Sequence, residues 1–198
     1  MNIHIREIKS NEYNLLDDFL YKAIFILEGV EAPPREIINA PELQVYVQDF
    51  GKREGDICFV AEVEEKIVGA VWVRIMDDYG HVEDGVPSFA ISLYKEYRGL
   101  GIGTAMMKQM LTELKIRGYQ KTSLAVQKEN YAVKMYKNVG FEIVDENVEE
   151  YIMVCVYYDC ATGCCTICTD AKRNCKAKRN VMREYQLELS DWYFLFDM

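Results

Sequence analysis

The sequence predicts a single α/β domain built around a mixed sheet. Two features lead to this prediction. Apolar runs of strand length alternate with stretches of helical period, and this alternation stops near residue 157. The predicted order of elements is β-α-α-β-β-β-α-β-α-β-β. At 198 residues, half of them apolar and 28% charged, the chain can bury a full core in one domain.

The N-terminal half is predicted to hold three strands and two helices. Strands are predicted at an alternating run and two apolar runs, residues 3–8, 57–63 and 67–76. The last two flank a short acidic turn, which predicts a hairpin. Ser10 or Asn11 is placed to cap a helix over residues 12–27. Prolines then mark a loop ahead of a short helical piece at residues 42–50.

The following part, up to residue 157, is predicted to hold four strands and two helices. The strands are predicted at residues 86–94, 121–126, 141–147 and 151–157. A helix over residues 104–118 has one apolar stripe at helical spacing, formed by Met107, Met110, Leu111 and Leu114. Gly118 is expected to end this helix in the left-handed conformation. Residues 129–141 predict a second helix with Gly140 at its C-terminal cap.

A glycine-rich turn lies between the fourth strand and the helix after it. Residues 94–107, YKEYRGLGIGTAMM, place three glycines in five positions directly before the helix. Alternate glycines let several N–H groups face one point, where the helix N-terminus adds partial positive charge, so the turn predicts a phosphate site. It is no Walker A loop, because Thr104 follows Gly103 with no lysine between them. A dinucleotide fold would place the turn after the first strand.

This turn and a second motif resemble those of one family. The stretch RGLGIG at 98–103 resembles the Q/R-x-x-G-x-G/A loop of the GNAT family of acetyltransferases, which holds the pyrophosphate of acetyl-coenzyme A. The family's N-x-A-x-x-x-Y-x-x-x-G-F signature is matched by Asn130, Ala132, Tyr136, Gly140 and Phe141. The resemblance covers residues 3 to about 157. It implies a GNAT-type domain over residues 1–157, with a central, mostly antiparallel mixed sheet flanked by helices.

The resemblance also implies an activity and a site. The activity is acetyl transfer from acetyl-coenzyme A to a primary amine, on a small molecule, peptide or protein, by direct attack. The cofactor-binding residues would be Ile91, Leu93, Arg98, Gly99, Leu100, Gly101, Ile102, Gly103, Thr104 and Asn130. Backbone groups of Ile91 and Leu93 would bond the pantetheine arm, and an N–H near Leu93 would polarise the carbonyl. Arg98 would add a charge or steady the turn, and Tyr136 would protonate the leaving thiolate.

The general base and the acceptor stay open. Many relatives carry a glutamate on the fourth strand, yet residues 86–94 contain no acid. The alternatives are water or a side chain from the neighbouring loops, namely His81, Glu83, Asp84, Glu28 or Glu31. Residues 28–42 would line one wall of the acceptor groove. Because the strand lacks an acid, the alternative function is a non-catalytic acyl-coenzyme A sensor or interaction module.

Composition limits the partners and the compartment. A net charge of −9 and a pI near 4.9 argue against a nucleic-acid partner and suit a cationic substrate. No apolar run approaches the ~18 residues of a membrane span, and the N-terminus lacks the apolar core of a signal peptide. We therefore expect a cytoplasmic protein, monomer or homodimer, without a membrane partner.

Residues 158–198 are predicted to form a cysteine-rich C-terminal extension of unknown structure, expected to be poorly ordered. They show no helical or strand period through residue 180. Cys165 and Cys168 form one C-x-x-C pair, but the other cysteines make no matching second pair, so no metal is expected. Zinc, disulfides and a change of reading frame near residue 157 are the alternatives.

Overall fold

The computed structural model describes residues 2–157. Seven strands and four α-helices follow the predicted order. The strands are β1 (Ile3–Glu7), β2 (Ile57–Val63), β3 (Lys66–Arg74), β4 (Ser88–Leu93), β5 (Lys121–Gln127), β6 (Glu142–Glu146) and β7 (Glu150–Val156). The helices are α1 (Leu15–Ala23), α2 (Pro41–Gln44), α3 (Ile102–Ile116) and α4 (Ala132–Val139). Short 3₁₀ turns lie at Ser10–Glu12, Arg35–Asn39 and Lys95–Tyr97.

The strands form one seven-stranded sheet in the order β1-β2-β3-β4-β5-β7-β6. Every neighbouring pair is antiparallel except β4 and β5, which are parallel. The prediction of a mixed, mostly antiparallel sheet flanked by helices is therefore confirmed. The single parallel pair lies in the middle of the sheet, where the chain leaves β4 through the glycine turn and returns by way of α3.

Each face of the sheet has its own core. On one face α3 and α4 pack over the sheet, and the predicted methionine and leucine stripe of α3 is buried there. On the other face α1 and the segment around α2 cover Cys58, Val60, Ala70 and Trp72. Because neighbouring residues of a strand point to opposite faces, β4 contributes Phe89 to the first core and Ala90 to the second.

The first helix differs from its prediction at both ends. It begins at Leu15 and ends at Ala23, and neither Ser10 nor Asn11 caps it. Those two residues lie in a 3₁₀ turn, where the Glu12 carboxylate accepts the Lys9 N–H at 2.8 Å. Arg6 holds the same carboxylate with two further hydrogen bonds. The salt bridge therefore fixes the tighter turn in place of the predicted capped helix.

The second helical piece is also shorter than predicted, because α-helix covers only Pro41–Gln44. The reason is a competing donor. Buried Arg74 donates from Nη1 to the carbonyls of Val45 (2.9 Å) and Gln48 (2.8 Å), which a continuing helix would use. The backbone reaches a positive φ of 55° at Asp49. By contrast, Gly118 and Gly140 adopt the positive φ values predicted for helix ends, 83° and 110°.

Among the helices of residues 2–157, none combines the length and the hydrophobicity that a membrane span requires. The predicted boundary at residue 157 stays a prediction. The last described residue is tied to the fold, since the Tyr157 N–H donates to the Gln120 carbonyl at 2.7 Å. The predicted extension, with its cysteines, lies outside the described residues.

Candidate active site

The glycine turn has the geometry of an anion site. Gly99 and Gly101 have φ values of 75° and 80°, and Gly101 directly precedes the fifteen-residue helix α3. Within residues 2–157, no N–H from Gly99 to Thr104 donates to a protein acceptor; the first to do so is that of Ala105, to the Gly101 carbonyl. Six successive unpaired N–H groups thus surround the positive end of a helix dipole.

Arg98 steadies this turn from behind. Its Nε donates to the Leu93 carbonyl at 2.9 Å, and its Nη2 donates to the Lys22 carbonyl at 3.3 Å. The guanidinium thereby ties the end of β4 to the last turn of α1. Of the two roles expected for Arg98, these contacts match that of steadying the turn.

Gly103 lies where α3 packs against α4 and β4. A Cβ atom at this position would lie 3.3 Å from Met135 Sδ of α4, which is tighter than most such contacts, and 3.4 Å from Leu93 Cδ1 of β4, which is ordinary van der Waals contact. Gly99 and Gly101 face open space instead. The first two glycines therefore serve the turn's conformation, and the third serves packing.

Strands β4 and β5 separate toward the glycine turn. Their Cα register within the described residues is a single pair, Ser88 and Ser123, at the start of both strands. The Tyr94 N–H donates to β3, so by strand alternation the backbone groups of Leu93 and Ile91 point toward the gap. The Leu93 carbonyl is occupied by Arg98. A wedge-shaped opening with free backbone groups on its β4 edge thus leads to the glycine turn.

Tyr136 lies on α4, on the α3 side of the sheet. It is 8% exposed, and its ring packs against Phe141, which in turn contacts Phe89 of β4. Burial raises the pKa of the phenol, so the hydroxyl is protonated at neutral pH. Within residues 2–157 no group is hydrogen-bonded to this hydroxyl. The phenol of Tyr136 is therefore a neutral proton donor on the α3 face of the sheet, next to β4.

Asn130 acts as a cap. Its side-chain Oδ1 accepts the Ala132 N–H at 2.9 Å, and its carbonyl accepts the Val133 N–H. Both contacts satisfy N–H groups at the start of α4. Its contact with the cofactor stays a prediction.

The side chains expected as candidate bases do not converge on one point. Glu83 is paired with Lys121, Asp84 is fully exposed, and His81 Nδ1 faces the Met76 carbonyl at 3.3 Å. Glu28 and Glu31 are exposed in the loop after α1. None of these five is brought into the wedge by a hydrogen bond.

Sequence reasoning missed a partly buried carboxylate in the loop between β3 and β4. Asp78 Oδ2 accepts hydrogen bonds from Tyr46 Oη and Ser88 Oγ, both at 2.7 Å. Ser88 is the residue at which β4 and β5 separate. In the sequence, Asp78 is one of several acids in a polar segment between β3 and β4. Its hydrogen bonds to Tyr46 and Ser88, which set it apart from the other acids, form only when this segment folds onto the sheet.

Residues 2–157 contain no group of three or more His, Cys, Asp or Glu side chains arranged to hold a metal ion.

Comparison with known proteins agrees with these features. Residues 23–141 match the model of the acetyltransferase (GNAT) family. N-acetyltransferase 8B of Homo sapiens is 33% identical over 89 residues, which cover 44% of this chain and 39% of that protein. An acetyltransferase of Pectobacterium atrosepticum is 32% identical over 109 residues, covering 54% of this chain and 71% of that protein. The match thus spans less than half the length of the human relative.

A solved structure shares the fold. PaiA N-acetyltransferase of Thermoplasma acidophilum, in complex with coenzyme A, superposes with a TM-score of 0.60. The match covers 79% of this chain and 100% of that one, at 17% sequence identity. At that identity the likeness concerns the fold.

Proposed function

The chain belongs to the GNAT family of acetyl-coenzyme A-dependent acetyltransferases, and we propose that it transfers an acetyl group to a primary amine by direct attack. The predicted membership of that family is confirmed. One observation supports the proposal most: six free N–H groups from Gly99 to Thr104 lie at the end of a wedge between two parallel strands.

The proposed cofactor seat follows from charge and shape. A pyrophosphate is an acceptor-only dianion, so it would satisfy the free N–H groups from Gly99 to Thr104 at the positive end of α3. The pantetheine arm would lie in the wedge, where amide groups of Ile91 and Leu93 face away from β3. The reactive thioester would then lie deeper in the wedge, toward Ser88 and Ser123.

The proposed reaction forms one C–N bond and breaks one C–S bond. The amine nitrogen attacks the thioester carbonyl carbon, and negative charge builds on the carbonyl oxygen, where an N–H of β4 that faces the wedge would stabilise it. The electron pair of the C–S bond then leaves with sulfur. Tyr136 would give its proton to that thiolate. Burial raises the pKa of the Tyr136 phenol and would also raise the pKa of the coenzyme A thiol. The phenol could therefore still protonate a desolvated thiolate.

The acceptor is proposed to be a primary amine that is protonated, and therefore cationic, before it reacts. The net charge of −9 favours a cation at long range. A small molecule, a peptide N-terminus and a lysine side chain share this chemistry, and the amine panel below separates them. The oligomeric state and a cytoplasmic location stay predictions of the sequence.

The test is thiol release from acetyl-coenzyme A across a panel of amines. Polyamines, amino acids, peptides with free N-termini and lysine-containing peptides form the panel. Release that depends on one class of amine supports the proposal. Coenzyme A binding without turnover of any amine would support the alternative, a non-catalytic sensor of acyl-coenzyme A.

A matched pair of valine variants tests the cofactor seat. Gly101 and Gly118 lie at opposite ends of α3 and have φ values of 80° and 83°, and a Cβ atom at either position would have no neighbouring atom within 4 Å. Valine therefore introduces similar backbone strain at both, but only Gly101→Val places a side chain at the free N–H groups. Saturating coenzyme A, at a hundred times its Kd, stabilises a folded protein by about 2.7 kcal/mol.

We expect that stabilisation to persist in Gly118→Val and to vanish in Gly101→Val. Thermal unfolding with and without coenzyme A measures it. An unchanged ligand-induced shift in Gly101→Val would place the phosphates elsewhere.

A further inference from the structure

The loop between β3 and β4 lies on the sheet at the apex of the wedge. A Cβ atom at Gly80 would lie 2.8 Å from the backbone nitrogen of Ala125 and 2.8 Å from Ser88 Oγ. Glycine is therefore needed for the loop to approach β4 and β5 this closely. The residues next to Gly80 are held over the point where the two strands separate.

In this loop, Asp78 has a carboxylate oxygen that accepts no hydrogen bond. Tyr46 Oη and Ser88 Oγ both donate to its Oδ2, whereas its Oδ1 is buried and has no partner within residues 2–157. A buried acceptor without a donor carries a free-energy cost, which is larger when the acceptor is charged. A ligand that brings an N–H donor to Oδ1 would remove that cost.

Two serines on β4 and β5 also have a buried side-chain oxygen without a hydrogen-bond partner within residues 2–157. Ser123 is fully buried and Ser92 is 5% exposed, and the hydroxyl of each lacks a partner within the described residues. Ser123 pairs in register with Ser88, and Ser92 lies four residues further along β4, so alternation places all three serines on one face of the sheet. This is the face toward Asp78, since Ser88 donates to it.

We propose that Asp78 is the general base of acetyl transfer: its Oδ1 accepts a proton from the nitrogen of the acceptor, while Ser88 and Tyr46 are positioning residues that hold its other oxygen. This role rests on the proposed function, because it needs an amine and a thioester in the wedge. It also supplies the acid that is missing from residues 86–94.

The reaction releases two protons from the nitrogen of the acceptor. An ammonium acceptor carries three protons on nitrogen and the amide product carries one. Asp78 takes one proton and returns it to water after the product leaves. The second proton replaces the one that Tyr136 gives to the thiolate, so coenzyme A departs as a thiol. No further reactant is needed.

The electrostatic setting suits a base. Burial raises the pKa of Asp78, and although the hydrogen bonds from Ser88 and Tyr46 oppose it, burial dominates. A base with a raised pKa lies closer to the working pH. Of the charged groups nearby, Arg74 is neutralised by Asp56.

The other titratable groups near Asp78 are two tyrosines, a glutamate and a histidine. Burial raises the pKa of Tyr46, as does the charge of Asp78, so this phenol stays a donor. Glu150 of β7 and Tyr79 of the loop act on Tyr46 in the same direction. His81 turns its Nδ1 to the Met76 carbonyl. Thus no uncompensated cation among these groups pairs with the Asp78 carboxylate.

Asp78→Asn keeps the shape of the side chain and removes the base. We expect kcat to fall about 10²- to 10⁴-fold, the range typical of one general base, while the thermal shift with coenzyme A is kept. In the unsubstituted chain kcat/KM should fall as the pH drops through the pKa of Asp78, because the protonated carboxyl cannot accept a proton. This acidic limb should be absent in Asp78→Asn. The exposed neighbour provides the matched control, Asp77→Asn, which should keep both rate and pH profile.

Ser88→Ala and Tyr46→Phe test the role without removing the carboxylate. Each deletes a hydrogen bond that lowers the pKa of Asp78, so the acidic limb should move to higher pH in both. The same amine is used throughout, so that its own titration is common to all profiles. These two variants also decide the question if Asp78→Asn does not fold.

The outcomes separate this role from the proposed function. The role of Asp78 alone is overturned in two cases, both of which require that the unsubstituted chain acetylates an amine. In the first, Asp78→Asn has an unchanged rate. In the second, neither Ser88→Ala nor Tyr46→Phe moves the acidic limb of the pH profile. A chain that binds coenzyme A but acetylates no amine overturns acetyl transfer and this role together. A rate loss in Asp78→Asn with the limb abolished supports both.

Discussion

Replacing Arg74 with methionine should be among the most destabilising single changes in this fold. Arg74 and Asp56 form a bidentate pair, with Nε to Oδ1 at 2.7 Å and Nη2 to Oδ2 at 2.8 Å, and both side chains are at most 1% exposed. The remaining nitrogen, Nη1, donates to the carbonyls of Val45 and Gln48. The guanidinium also lies 5.2 Å from the centre of the Phe50 ring. One side chain therefore satisfies a buried carboxylate and two backbone acceptors.

The magnitude follows from what methionine leaves behind. A buried ion pair broken on one side leaves an uncompensated charge, at a cost of about 3–5 kcal/mol. Differential scanning calorimetry or thermal unfolding measures the loss. In a domain of this size each kcal/mol corresponds to about 2–4 °C, so the Tm should fall by roughly 6–20 °C.

Two controls isolate the buried charge as the cause. Lys52→Met breaks the exposed pair with Asp49 and should leave the Tm nearly unchanged. Combining Arg74→Met with Asp56→Leu removes both charges, so the double variant should be more stable than the sum of the single changes predicts. A loss below about 1 kcal/mol in Arg74→Met, or strict additivity, would refute the reasoning.

The pH dependence gives an independent check. Burial alone would raise the pKa of Asp56, but hydrogen bonds from Arg74 and from two N–H groups outweigh it, so the folded pKa lies below its ordinary 3.8. The pair therefore contributes its full stability above pH 3.8 and loses it as the pH falls through the folded pKa. Without Arg74, burial favours the neutral acid. The difference in unfolding free energy between the two proteins should accordingly shrink on acidification.

Two further predictions concern the tyrosine and the domain boundary. Tyr136→Phe keeps the ring against Phe141 and removes the proton donor, so kcat should fall about 10²- to 10⁴-fold with the coenzyme A shift retained; equal losses of affinity and rate would assign Tyr136 to packing. Truncation after Tyr157 should keep the fold and coenzyme A binding, because all seven strands described within residues 2–157 end by Val156; failure of the truncated chain to fold, or stoichiometric zinc in the full chain, would contradict the predicted extension.

The sequence predicted the order of strands and helices because its local signals were strong. The stripe of α3 is buried as its spacing required, and glycines mark both helix ends that follow. The two errors, in α1 and α2, arose where distant side chains decided the backbone. Arg6 and Arg74 lie on strands and fix turns that belong to other segments. Propensity and capping rules contain no information about such partners.

In the candidate site, too, the residues marked by a local sequence motif could be predicted, and the residue that depends on distant contacts could not. The glycine turn and Tyr136 could be predicted because a motif encodes them within a few residues. Asp78 could not, because its distinction depends on Tyr46, 32 residues upstream, and on Gly80 fitting over β5. Within the chain it is one acid among several in the link DDYGHVEDG. Burial and an unpartnered oxygen separate it from its neighbours, and both are properties of the folded molecule.

The buried arginine and the proposed base are physically connected. Arg74 holds the carbonyls of Val45 and Gln48, and Trp72 Nε1 donates to the carbonyl of Tyr46 between them at 3.1 Å. Side chains of β3 thus fix the irregular segment from which the Tyr46 hydroxyl reaches Asp78. Releasing this segment should weaken the hydrogen bond that lowers the pKa of Asp78. Arg74→Met should therefore also move the acidic limb of kcat/KM to higher pH, while the glycine turn, at the other end of β4, keeps its affinity for coenzyme A.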